Sequence, residues 1–476
     1  METQLKTIQL RTTYRKLLAD TVTPVSVYLK LRDKFRNCIM LESSDYHGND
    51  NSFSYICFEP LASFELDKGE LRVELPGEET TLETLADRHE AVSRLNDFAA
   101  TFKNPELPFK FLPNGLFGYM SYDAVESFED IDLSENDEFQ YHIPEIVYRT
   151  YRFVIVVDHF KNELYLFEHH PEGDEPTGRL DEIVSLINNR NLPVYGFARD
   201  GEEESNFTDD EYMEIVEKGR EHCMRGDVFQ IVLSRRFSHS FKGDEFNVYR
   251  ALRSVNPSPY LFYFDYGNYK LFGSSPEAQI VIKDDEATIY PIAGTFRRTG
   301  NDEADAELAK KLYDDPKENS EHVMLVDLAR NDLSRNGDNV TVDTFKEIQY
   351  YSHVIHLVSK VTGRLGQNTS AIRMVADTFP AGTLSGAPKH MAMKLINKYE
   401  TLRRGYYGGA IGYCGFDGTF NHAIMIRSFC STGNRLYYQA GAGVVAKSSA
   451  ESEKQEVYNK LAALHSALEL AEEIRD

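Results

Sequence analysis

Residues 148–169 read YRTYRFVIVVDHFKNELYLFEH, two β-rich runs on either side of Lys161-Asn162. The connection is too short for a crossover helix, so the two runs pair antiparallel. FELDKGELRVEL (64–75) repeats the device around Lys68-Gly69. Further strand-like segments occupy 227–237, 259–265, 269–273, 278–283 and 287–292, then 408–416, 422–430 and 435–440. Helix signals lie between them. Thr208 stands three residues ahead of Glu211 as a capping box, Tyr212, Ile215 and Val216 form an apolar stripe, and Gly226 marks a stop. Pro316 suits a first helical turn, another helix follows AGTLSGAPK, and a last one spans about 449–473. Strands in runs, then helices, then strands again predict an α+β fold with large antiparallel sheets and not a doubly wound parallel one. The polar stretch FARDGEEESNFTDDE (197–211) separates an expected N-terminal domain, 1–200, from a second at 205–476.

Composition narrows the function classes. The 476 residues are 41% hydrophobic and 12% aromatic, enough for a sizeable core. The formal charge, 52 − 76 = −24, argues against a nucleic-acid surface. An anionic substrate therefore needs a local positive site or a metal. Five cysteines, an odd number with no CxxC, fit a reduced cytoplasmic setting. The start, METQLKTIQLRTTYRKLLAD, lacks the apolar stretch of a secretory signal. The longest aliphatic run, VIVV at 154–157, is far below the ~18 residues of a spanning helix, so no membrane association is expected.

Four constellations carry chemistry. In PKENSEHVMLVDLARNDL (316–333), Glu318 and Glu321 share a helical face, with Met324, Leu325 and Leu328 below. In AESEKQEVYNKLAALHSALEL (450–470), Glu453 and Glu456 repeat that spacing over a stripe of Val457, Leu461, Leu464 and Leu468. Two such pairs suit an oxygen-seeking divalent ion, which takes one or two protein carboxylates, waters and a substrate anion. Acidic residues near helix starts also serve the helix dipole alone. FPAGTLSGAPK (379–389) could turn the backbone N–H groups of Thr383 to Gly386 toward an anion. Glycines in GGAIGYCGF (408–416) and QAGAGVV (439–445) mark close backbone approach or a bulge. Cys414 reads as a structural thiol. His353 and His356 fall on opposite faces of a strand, so a zinc pair is not expected.

Taken in order, GDVFQIVLSRRF, NPSPYLFYF, FGSSPE, YPIAGT, EHVMLVDLARNDL, SHVIHLVSKVTG, AGTLSGAPK, RRGYYGGAIGY, IMIRS, QAGAGVV and SESEKQE resemble the chorismate-utilising enzymes. Within them the likeness is greatest to the large aminase subunits of anthranilate synthases. The resemblance implies an αββα layered fold and Mg²⁺-dependent conversion of chorismate and ammonia to anthranilate and pyruvate. It places Mg²⁺ on Glu321 and Glu456, supported by Glu318 and Glu453. It places chorismate against Gly294, Thr295, Tyr407, Arg427 and the backbone of Gly441, Ala442 and Gly443; the Arg427 fork suits a carboxylate. Thr383 and His356 would lie near the departing groups, and Glu277 of SSPE would be the acid for the departing ring hydroxyl.

Two positions separate relatives. Gln230 of VFQIVLS stands where water-adding relatives carry a lysine base, and a neutral amide cannot deprotonate water. Ala293 stands where many aminodeoxychorismate synthases carry the lysine of PIKGT. Ammonia is therefore the expected nucleophile, with aminodeoxychorismate synthase as the nearest rival and a non-catalytic ligand-sensing protein as a remote one. One departure is plain: the usual PIAGTRPR is PIAGTFRR here, so Phe296 replaces an arginine and Arg297 and Arg298 follow. Ser43 of LESSDY, with Pro259, Tyr260 and Leu261 of NPSPYLF, matches the family's tryptophan-inhibition pocket. The chain shows no GxCxG elbow of a glutamine amidotransferase, which implies a separate glutaminase subunit as partner.

Overall fold

A computed structural model describes residues 7–43, 52–133, 140–350 and 354–474. Its organising pair is Phe53–Asp67 and Ile146–Asp158, antiparallel from Phe53 opposite Asp158 to Leu66 opposite Ile146. Both strands are long enough to serve two sheets. The first strand changes register between Pro60 and Ala62, beside Glu59 at φ 56, which bends it where proline offers no N–H to the ladder.

One sheet runs outward from the Phe53 end through Ile39–Ser43, Tyr260–Asp265, Tyr269–Ser275, Ser428–Thr432 and Arg435–Val444 to Gln230–Gly243 and Phe197–Ser205. On its other side it continues through Glu163–Pro171 to Ile8–Leu18. The second sheet uses the opposite halves of the shared pair. It runs through Leu116–Met120, Ala410–Cys414, Phe420–Ile424, Ala278–Lys283 and Glu286–Ile289 to Val354–Leu365, which carries both Ile292–Arg297 and Gly337–Tyr350. These pairings are all antiparallel.

Alternation along the strands sorts side chains into three large cores and a small fourth around Leu312 and Ile355. Phe117, Tyr119, Tyr151, Phe262, Leu271 and Ile411 meet between the two sheets. The outer face of the first sheet, with Ile231, Leu233 and Phe272, packs under helices Asp209–Arg225, Phe246–Val255 and Ala450–Glu473. The outer face of the second, with Met120, Tyr148 and Ile280, packs under Glu90–Thr101, Pro316–Ser334 and Ala371–Thr378. The order is helix, sheet, sheet, helix, the αββα arrangement expected. Val457, Leu461, Leu464 and Leu468 are buried beneath the last helix, the stripe its spacing implied.

Local signals explain several ends. Lys68 and Gly69 have φ 50 and 79, the primed turn that a two-residue hairpin loop needs. The Thr208 hydroxyl accepts from Glu211 N at 3.3 Å while Glu211 Oε2 accepts from Thr208 N at 2.7 Å, a complete capping box. Gly226 closes that helix at φ 82. The polar stretch from 197 forms a strand, Phe197–Ser205, with one buried position in nine.

Candidate active site

The segment 422–430 is two strands, not one. Phe420–Ile424 and Ser428–Thr432 are separated by a break in which Arg427 adopts φ 51, an uncommon conformation for a side-chain-bearing residue. Tertiary contacts hold it there: its carbonyl accepts from Ser274 N at 3.1 Å, and its guanidinium donates to the Lys460 carbonyl. Burial lowers the Arg427 pKa, and the Tyr407 and Glu456 charges oppose that fall. The guanidinium thus lies in a shielded place, where a fixed positive charge acts strongly.

Gly294 sits at a second irregularity, a bulge between Ala293 and Thr295 where Ile292–Arg297 pairs with Val354–Leu365. Its φ is 66, and a Cβ there would stand 2.5 Å from Leu312 Cδ1 and 3.0 Å from Glu318 Oε2. Only glycine lets the Glu318 carboxylate lie so close to this turn. His356, opposite Thr295 in the ladder, donates Nδ1–H to the Gly294 carbonyl at 2.9 Å. Burial lowers its pKa, the Gly294 contact opposes this, and the Arg427 charge adds to the fall. The ring is neutral at pH 7 with Nε2 as its acceptor.

Glu277 precedes the strand Ala278–Lys283 and lies beside the helical turn Gly382–Ser385. The segment read as a row of N–H donors is that turn, and Thr383 Oγ1 donates to Glu277 Oε1 at 2.9 Å. Burial pushes the Glu277 carboxyl up to about 7, against the opposing effects of Thr383 and the Lys460 charge. A narrow cavity of about 30 Å³ opens beside both residues, bordered by Pro291, Leu328 and Asp332.

Lys460 was not anticipated. Its Nζ donates to the Gly441 carbonyl at 2.8 Å and pairs with Glu456 Oε1 at 2.7 Å, while its charge reaches Glu277. The only sequence signal was its place four residues after Glu456, on one helical face. A Cβ on Gly441 would stand 3.2 Å from the Tyr407 hydroxyl, and one on Gly443 would stand 2.3 Å from Gln230 Nε2. Gly441 is also crowded by the Leu233 carbonyl, 2.9 Å from such a Cβ, whereas Gly443 faces only the flexible Gln230 side chain; Ala442 between them lies in the outer core. Gln230 is buried, its backbone paired with Ala387.

Arg404 was also missed. It donates to the Leu384 and Val232 carbonyls at 2.6 and 2.8 Å and pairs with Glu400 at 2.6 Å, fixing the Thr383 turn against the strand of Gln230. Cys414 is buried and its thiol is pushed up to about 12 by burial, which suits a structural role. Phe296 packs with Ala309, Leu312, Ile355 and Leu357. Arg298 donates Nε to Asp305 at 2.8 Å. His353 lies outside the described residues.

One member of each carboxylate pair, Glu318 and Glu456, is joined to the other through a short series of contacts. Glu318 lies on the Gly294 turn, Gly294 holds His356, and the Arg427 charge acts on His356 on one side while meeting that of Glu456 on the other. Among the described residues no three His, Cys, Asp or Glu side chains converge as a closed cage. Carboxylate oxygens are the donors that Mg²⁺ takes, together with waters and a substrate oxygen.

Ser43, Pro259, Tyr260 and Leu261 border one cavity of about 90 Å³ with Tyr55 and Tyr413. Ser43 and Tyr260 are register partners. The neighbouring strands Ala410–Cys414 and Phe420–Ile424 lead directly from Tyr407 and toward Arg427.

The family described as chorismate binding enzyme matches residues 36–466. The chain belongs to that family. This chorismate binding enzyme is 36% identical to anthranilate synthase component 1 of Aquifex aeolicus, over 97% of this chain and 95% of the relative. It is 37% identical to the protein of the same name from Thermus thermophilus, over 96% and 98%. The crystal structure of anthranilate synthase component I from Streptococcus pneumoniae TIGR4 matches with TM-score 0.77 at 30% identity, over 94% of this chain and 99% of that one. The menaquinone-specific isochorismate synthase of Escherichia coli matches with TM-score 0.73 at 17% identity and shares the fold.

Proposed function

We propose that this chorismate binding enzyme is the aminase component of an anthranilate synthase, converting chorismate and ammonia to anthranilate and pyruvate. One observation carries the choice of reaction: an acid stands in the site, and the Gln230 position holds a neutral amide and not a lysine base. Glu277 is held up to about 7 by burial, while the position packed on Gly443 is the neutral amide of Gln230.

Chorismate enters against the flat surface left by Gly294, Gly441 and Gly443, with Tyr407 beside it. Arg427 and Lys460 supply positive charge for its carboxylates. We also assign a substrate contact to Thr295, the residue after Gly294. We assign Mg²⁺ to Glu321 and Glu456, with Glu318 and Glu453 in support; when bound, the ion neutralises the ring carboxylate and draws electron density from the conjugated system. The ammonia lone pair forms a bond to ring carbon 2, the double bonds shift, and the carbon 4 to oxygen bond breaks. Glu277 gives its proton to that oxygen, which leaves as water. Hydroxide is a poor leaving group, so a placed acid is worth about 10²–10⁴-fold. The extra proton on nitrogen passes to solvent. In the second stage the carbon 2 proton passes to neutral His356, the carbon 3 to oxygen bond breaks, and the ring becomes aromatic as the enolate of pyruvate departs and takes a proton from solvent at its methylene carbon.

Purified chain with chorismate, Mg²⁺ and an ammonium salt should generate anthranilate fluorescence and one pyruvate for each anthranilate. A product that retains the enolpyruvyl group would point to aminodeoxychorismate synthase instead.

The relatives' name, component 1, implies a second component. None of the five cysteines is an activated thiol: burial pushes all of them up, Cys223 the least buried to about 11. We therefore assign glutamine hydrolysis to a separate glutaminase subunit. Five unpaired thiols also fit a cytoplasmic setting, and among the described residues no helix is long and apolar enough to cross a membrane. We assign the cavity at Ser43, Pro259, Tyr260 and Leu261 to tryptophan as inhibitor. The strands bordering it lead to Tyr407 and Arg427, so filling it can shift the substrate contacts.

A further inference from the structure

A second polar cavity, of about 340 Å³, lies away from the acid and the carboxylate pairs of the active site. Asp67, Asp123, Glu126 and Glu145 line it, and so do Lys68, Arg88 and Arg403. Four carboxylates against three permanent cations leave a net charge of −1, with His142 counted as neutral.

The deficit is local. Glu126 is matched twice, by Arg88 at 3.1 Å and Arg403 at 2.7 Å, and Asp67 meets His142 at 2.8 Å. Asp123 is 4% exposed; its Oδ2 accepts from Gly405 N at 3.2 Å, and its Oδ1 has no hydrogen-bond partner. Glu145 is 9% exposed, and among the described residues its carboxylate has no hydrogen bond or ion pair. The charge of Arg236, which does not line the cavity, also reaches Asp123 while its guanidinium donates to the Arg403 and Arg404 carbonyls and Gln439. Burial raises both carboxyls: Asp123 to about 6, with Arg403 opposing and Glu126 adding, and Glu145 to about 7, with Asp123 and Glu126 adding. Buried acids without a cation hold protons instead.

We propose that Asp123 and Glu145 bind one small monovalent cation, potassium or ammonium, in this cavity. A single positive charge cancels the deficit, whereas a divalent ion would leave an excess beside Arg88 and Arg403. The volume admits the ion with several waters, each taking about 30 Å³. Because Asp123 also holds Gly405, two residues before Tyr407, the ion steadies the turn that presents that tyrosine.

The test uses thermal stability, so its outcome is independent of the reaction assigned above. At pH 8.5, where both carboxylates are ionised, Tm of the full chain is followed in potassium, ammonium or tetramethylammonium chloride at equal ionic strength. The expected result is a saturable rise of about 1–3 °C with potassium, ammonium or both, absent with the bulky cation. Asp123→Asn and Glu145→Gln should each abolish it. At pH 5.5 protons replace the cation and the rise should vanish in the unaltered protein, a readout that needs no folded variant. Equal curves in the three salts, a rise that survives in either folded variant, or one that persists at pH 5.5 would each overturn the proposal.

Discussion

The Thr383 hydroxyl donates to Glu277 Oε1 at 2.9 Å, in a place where burial holds the carboxyl up to about 7. The bond leaves Oε2 to carry the proton and aims it away from Thr383. Glu277→Gln preserves the shape and the Thr383 contact but carries no acidic proton. It should fold normally and lower ammonia-dependent anthranilate formation by about 10²–10⁴-fold. Activity near that of the unaltered protein would remove the acid role.

The pH dependence has a definite sign. Glu277 is raised in the folded state, so between about 4.5 and 7 the folded chain keeps a proton that the unfolded chain has lost. Its contribution to stability therefore falls as pH rises through that window. Catalysis needs the protonated form, so at constant free ammonia kcat should decline through about pH 7. Thr383 opposes the raised value, and Thr383→Val should move the alkaline limb to higher pH. A limb that does not move would assign it to another group.

Local rules made much of this fold legible. The Lys68-Gly69 turn and the Thr208–Glu211 box depend on a few neighbouring residues, and both form as read. The Glu318/Glu321 and Glu453/Glu456 pairs were visible through helical spacing. What was not legible depends on distant residues. The break at Arg427 is held by Ser274 and the Lys460 carbonyl, so a local pattern at 422–430 reads as one strand. Gly337–Tyr350 escaped notice because its half-buried face, with Val340, Val342 and Ile348, is interrupted by Thr344 and Lys346. The Phe296 departure is explained by packing on Leu312 and Ile355, contacts that no local motif records. Lys460 and Arg404 act through carbonyls brought near by the fold, and carbonyls carry no sequence signature.

The cavity at Ser43 is small and bordered by Tyr55, Tyr260 and Tyr413, a setting for a flat aromatic amino acid. Ser43→Phe places a ring where that ligand would sit. Tryptophan at micromolar to millimolar concentration should inhibit the unaltered enzyme, and the variant should retain its activity at saturating tryptophan. An unaltered enzyme indifferent to tryptophan would remove this site's assignment.

Gly443 separates substrate binding from stability. A Cβ there would meet Gln230 Nε2 at 2.3 Å, the end of a flexible side chain, and the glycine's φ is not left-handed. Gly443→Ala should therefore cost little stability, within about 1 kcal/mol, as Gln230 swings aside. The displaced amide and the new methyl then occupy the substrate surface. KM for chorismate should rise at least tenfold while Tm moves by less than about 3 °C. A large loss of Tm with unchanged KM would make the glycine a packing residue only.

Arg404 tests how the site is supported from behind. It is 2% exposed, its partner Glu400 also accepts from Ser234 N and Oγ at 2.8 and 2.7 Å, and its other donors hold Leu384 and Val232. Arg404→Met leaves the Glu400 charge buried without its cation, a change that costs about 3–5 kcal/mol. Adding Glu400→Gln removes that charge but leaves the Leu384 carbonyl without its donor. The double variant should recover part of the lost Tm while anthranilate formation stays low, because the Thr383 turn is still unsupported. Equal recovery of Tm and activity would show that Arg404 serves charge balance alone and does not position the turn.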